Sequence, residues 1–93
     1  MMQGTIERDI ELAMTYSAYR EIEMVPNGDT DTISHAILDL AEDPQPVGAV
    51  MLEGAKGCYF LPVGEWYVLY HLSAGMECLT VLGVLDSPQH TVH

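Results

Sequence analysis

From Cys58 to Leu85 the chain is a succession of short apolar runs separated by small or turn-forming residues. Cys58 to Pro62 and Trp66 to Leu72 are rich in aromatic and β-branched side chains, and the Val63-Gly64-Glu65 stretch between them holds a glycine that permits a tight reversal. This pattern predicts a β-hairpin. A second turn at Ser73-Ala74-Gly75-Met76 leads into Cys78 to Leu85, a third apolar run of strand length, so this half reads as a three-stranded antiparallel meander. Five of the seven aromatic residues, Tyr59, Phe60, Trp66, Tyr67 and Tyr70, fall in the hairpin and mark it as the centre of the predicted core.

The first half alternates, then changes period. From Thr5 to Met14, Ile6, Ile10, Leu12 and Met14 fall on one side and Glu7, Asp9, Glu11 and Ala13 on the other, the signature of a half-buried strand interrupted on its apolar side by Arg8. Thr15 or Ser17 then caps a short helix carrying Ala18, Ile22 and Val25, which Pro26-Asn27-Gly28 ends. Asp29 or Thr30 caps a second, with Ile33, Ile37, Leu40 and Ala41 as its buried stripe and Pro44 closing it at Asp43. Pro44 to Gly48 is a stiff connector to a short run from Ala49 to Glu53. The order β-α-α-β-β-β predicts a single α+β domain over residues 1–93. Its antiparallel sheet has a two-helix hairpin packed on one face, with the first strand returning to the edge or centre of the meander. In the second hairpin strand, Trp66, Val68, Tyr70 and Leu72 should meet the helices, leaving Tyr67, Leu69 and His71 on the open face.

Four phrases in a fixed order carry a family resemblance. Leu40-Ala-Glu-Asp-Pro-Gln-Pro-Val-Gly48, then Leu52-Glu-Gly54, then Gly57-Cys-Tyr-Phe-Leu-Pro-Val-Gly-Glu-Trp-Tyr-Val-Leu-Tyr70, followed by Leu79-Thr-Val-Leu-Gly-Val84, resemble the RelE/ParE toxin superfamily over nearly the whole chain. The resemblance implies the toxin fold of type II toxin–antitoxin systems. In RNA-cleaving members it also implies lysines and arginines on the open sheet face that stabilise charge on the transition state, with acid and base groups near the C-terminus. This sequence departs from that pattern at each such position. Phe60 and Pro62 stand where basic residues are expected, and Tyr67 replaces the arginine after the Gly-x-aromatic phrase. Val50-Met51 replaces the basic pair before Leu-x-Gly, with Glu53 at the next basic position, and Asp86-Ser87-Pro88 follows the last strand.

Charge bears on the same question. Fourteen acids against Arg8, Arg20 and Lys56 give a net charge of −11, which opposes direct binding of a phosphate backbone and suits a basic protein surface. Cys58 and Cys78, without a signal peptide, read as reduced thiols of a cytoplasmic protein, and no apolar run is long enough for a bilayer. Asp31, His35 and Asp39 at i, i+4 and i+8 read as a solvated helix face rather than a metal site. Cys58 beside His71 is a conceivable nucleophile, but a strand thiol reads first as a small core residue. His90 and His93 titrate in the right range for acid and base yet sit in a tail. The sequence thus yields no catalytic residues, cofactor or metal.

It does yield a partner surface: Val50, Met51, Phe60, Tyr67, Leu69 and His71, apolar replacements on an acidic domain, expected to receive an antitoxin-like segment or a second copy of the chain. Three functional readings follow. The first is a toxin-like protein acting by protein binding without cleaving mRNA. The others are a ribosome-dependent mRNA endonuclease with its groups placed elsewhere, and a non-toxic acidic interaction module on the same fold.

Overall fold

In the computed structural model, which describes residues 10–86, the change of period at Thr15 is a change of element. β1 spans Glu11–Met14 and α1 Tyr16–Glu23. Thr15 Oγ1 accepts the Ala18 N–H at 3.0 Å, closing the first turn of α1, and donates to the Leu82 carbonyl at 3.2 Å. Its own N–H donates to the Val81 carbonyl at 3.0 Å. One residue therefore ends the strand, starts the helix and fixes both to the last strand. Thr5 to Asp9, with Ile6 and Arg8, lie outside the described residues.

The second helix, α2, spans Asn27–Leu40 and begins earlier than the expected cap at Asp29 or Thr30. Pro26 takes the cap position with φ −54°, and its carbonyl accepts the N–H groups of Asp29 and Thr30 at 2.9 and 3.0 Å. Proline has no side-chain acceptor and its ψ of 147° keeps it outside the helix proper, so the helix starts without a side-chain cap. The Thr30 hydroxyl instead turns back to the Val25 and Pro26 carbonyls.

β2 (Val50–Met51), β3 (Cys58–Val63), β4 (Trp66–Leu72) and β5 (Cys78–Asp86) complete a five-stranded sheet in the order β1-β5-β4-β3-β2. The expected α+β architecture holds, and β2 to β5 are antiparallel. The sheet as a whole is mixed, because β1 lies parallel to β5 at the edge, with Leu12 opposite Leu79. The Thr15 bonds to β5 and the docking of α1 against it fix that direction. Val63 belongs to the strand, so the hairpin turn is Gly64-Glu65 alone, with Gly64 at φ +60°.

Ala18 and Val25 and the α2 stripe Ile33, Ile37 and Leu40 bury against Val63, Val68, Tyr70, Leu72, Leu79, Val81 and Val84. Each of the larger side chains contributes about 1.5 to 3 kcal/mol by leaving water. Tyr70 is fully buried, and its hydroxyl donates to the Pro44 carbonyl at 2.7 Å, as a buried phenol requires. Burial and the charges of Tyr59 and Asp43 push its pKa from 10.0 to about 12. Trp66, expected in the core, is only half-buried at its margin, and its Nε1–H donates to Asp29 Oδ2 at 2.9 Å. The indole sits where β4 begins, against the first turn of α2, so its polar edge stays near water.

A bulge then shifts β5. Leu69 faces Gly83 but Tyr70 faces Val81, leaving Leu82 as an extra residue. Beyond it Val84 turns into the core opposite Val68, and Leu85 turns out opposite Tyr67. The Glu21 carboxylate accepts the Val84 N–H at 2.8 Å.

Candidate functional site

Paired strand residues share a face, so the register determines what the open side of the sheet carries. Val50 faces Phe60, Phe60 faces Leu69, and Pro62 faces Tyr67, which in turn faces Leu85. Phe60 and Tyr67 are diagonal neighbours whose rings stack with centroids 5.0 Å apart and planes 26° from parallel. Val50 and Leu85 are each 47% exposed and flank this pair. The result is an apolar strip across four strands, held on a rigid sheet with no cation among the side chains just named.

Four of the six residues expected on the partner surface, Val50, Phe60, Tyr67 and Leu69, come together in this strip. Met51 does not. Consecutive strand residues point oppositely, and Met51 lies across from Tyr59 on the helix side. His71 begins on the open face opposite Cys58, but its ring lies beside Gly57, where a Cβ would stand 3.0 Å from Nε2. Gly57, at φ +80°, thus leaves the space that the imidazole edge uses. Among the described residues the Cys58 thiol makes no hydrogen bond, so its pairing with His71 is one of register only. Cys58 and Cys78 are free and lie on strands separated by β4. Leu85 was not anticipated from sequence; the signal was Gly83, a glycine inside an apolar strand and so a mark of a bulge.

The positions at which the resemblance expected basic groups are now placed. Phe60, Pro62 and Tyr67 lie within the strip. Val50 is part of it as well, Glu53 is exposed in the loop after β2, and Asp86 ends β5 opposite Trp66. Ser87, Pro88, His90 and His93 lie outside the described residues. Arg20 is on the helix side, its guanidinium 5.8 Å from the Tyr16 ring centroid, and Lys56 is in the loop before β3. Asp31, His35 and Asp39 are exposed on α2.

No protein-family model matches the chain, and no curated protein does. Solved structures do. A chain of the archaeal RelE–RelB complex from Pyrococcus horikoshii superimposes with a TM-score of 0.76 at 14% identity, over 87% of this chain and 98% of that one. The chain has the RelE/ParE toxin fold. The same fold is matched in the toxin–antitoxin complex RelBE2 from Mycobacterium tuberculosis, at a TM-score of 0.72 and 19% identity over 84% of this chain and 98% of that. The chromosomal ParDE system of Pseudomonas aeruginosa matches at 0.67 and 12% identity, over 87% and 99%. At such identities the likeness is one of RelE/ParE fold. No helix of the described residues is long and apolar enough to cross a membrane.

Proposed function

We propose that this chain is a cytoplasmic toxin-like protein of a type II toxin–antitoxin system, working by binding protein and without cleaving mRNA. The observation that carries this reading is the Phe60–Tyr67 stack, flanked by Pro62 and Leu69, on the face where a phosphate-cleaving member needs cations. An apolar, aromatic patch on an otherwise acidic domain has the composition of a protein interface. The net charge of −11 favours a partner with apolar anchors and basic flanks and disfavours RNA. That RelE relatives are seen in complexes with RelB supports an antitoxin-like segment as that partner.

The test has two arms. Primer extension on translated message, with purified protein and ribosomes, should show no new cuts; reproducible cuts in the ribosomal A site would establish the endonuclease reading instead. Co-expression with the products of the flanking small reading frames should yield a stable complex and relieve any growth arrest. A complex without growth arrest on expression of the chain alone would favour the non-toxic interaction module. No complex at all would sink the binding reading.

A further inference from the structure

At the end of the sheet where β3 enters and β4 leaves, away from the Phe60–Tyr67 strip, lies a half-open cavity of ≈ 690 Å³. That volume is in the range of small-molecule sites. Its polar groups are all able to donate. Ser73 Oγ already accepts two backbone N–H groups, from Glu77 at 3.1 Å and Cys78 at 3.0 Å, which leaves its proton to give. Tyr59 Oη accepts the Gln45 side-chain amide at 2.7 Å and likewise has a proton to give. Lys56 and His71 complete the set, and among the described residues neither has a hydrogen-bond or ion-pair partner. The rest of the wall is apolar and adaptable, chiefly Met51, Leu72 and Met76.

The charge distribution sharpens this. The chain has fourteen acids and only three cations, yet none of the lining residues is an acid and one of those three cations, Lys56, is among them. Asp43 and Glu77 flank the wall beside Gln45 and Gly75 without lining it, and repulsion from carboxylates farther off is screened beyond about 8 Å at physiological salt. The geometry points to a binding site for a small organic carboxylate with an apolar body, its oxygens on Lys56, His71, Ser73 and Tyr59 and its hydrocarbon against Met51, Leu72 and Met76.

Octanoate is a suitable probe, titrated into the full chain and followed by backbone amide resonances, with octanol as the uncharged counterpart. Octanoate should shift the amides of Lys56 to Tyr59 and His71 to Met76 saturably, and octanol should bind about tenfold more weakly for want of charge-assisted bonds. Lys56 is exposed, so Lys56→Gln should weaken octanoate by a similar factor while leaving the urea midpoint in place, and Ala74→Trp should block the site. Absence of saturable shifts, shifts centred on Phe60, Tyr67 and Leu69, or equal binding of octanol would overturn the assignment. Absent shifts or equal binding of octanol would bear on this cavity alone and leave the partner surface proposed at Phe60 and Tyr67 untouched.

Discussion

Glu21 Oε1 stands 2.8 Å from the Val84 amide nitrogen, and a Cβ added to Gly83 would stand 3.1 Å from the same oxygen. A carboxylate on α1 thus satisfies a backbone donor that the β5 bulge brings to it, and the neighbouring residue has no side chain to obstruct the approach.

Removing the carboxylate should be felt in stability. Glu21→Ala leaves a part-buried N–H without its charged acceptor and should cost about 1 to 2 kcal/mol, whereas Glu21→Gln, which keeps an acceptor, should cost less. Gly83→Ala should also destabilise, and by less when Glu21 is already alanine. Urea midpoints in a double-mutant cycle measure this; strict additivity would show that the two positions do not compete for the same space.

Alkaline pH should weaken the fold through Tyr70. Its phenol stays neutral in the folded chain to about pH 12, while the ordinary value is 10.0. The contribution is therefore complete below pH 10.0 and is lost as pH climbs toward about 12. Tyr70→Phe should cost about 1 kcal/mol at neutral pH, through the lost bond to Pro44, and should fall off less steeply with rising pH than the parent. Thermal melts across that range, compared as differences between the two proteins, decide it.

Trp66 should behave as a margin residue with a specific partner. Trp66→Phe and Asp29→Ala should each cost about 1 kcal/mol and, combined, less than their sum, because both remove one indole–carboxylate bond. Indole fluorescence should shift to longer wavelength in Asp29→Ala if that bond holds the ring against α2; an unchanged spectrum would count against it.

On the open face, Tyr67→Ala should weaken association with the partner by about 2 kcal/mol or more, since aromatic anchors carry much of such interfaces. Met51→Ala, on the helix side, should leave it nearly unchanged. Titration of the co-purified complex separates the two, and equal losses would mean that the partner wraps the β2 edge.

The hairpin, both helices and the α1 cap were legible because each rests on local chemistry: Gly64 for the turn, the Thr15 hydroxyl for the cap, and Ile33, Ile37 and Leu40 for the buried stripe. What sequence did not reveal depends on long-range register. The parallel placement of β1 is set by bonds from Thr15 to strand residues far along the chain. The separation of Met51 from Val50 follows from which residue of a two-residue strand faces Phe60. The outward turn of Leu85 follows from the extra residue at Leu82, since strict alternation from Leu79 and Val81 would have sent Leu85 into the core. Apolar pattern alone says nothing about any of these.

The shortness of β2 has a consequence for self-association. A two-residue turn makes Val63 and Trp66 a hydrogen-bonded pair, so at Pro62 the backbone nitrogen points away from β4, toward the side where β2 has not yet begun. An incoming strand that tried to extend β2 along β3 would meet a ring and no donor at that position. This margin of the sheet therefore resists the templated addition of further chains that leads to fibrils, and an apolar strip can remain uncovered on the face without making the edge adhesive.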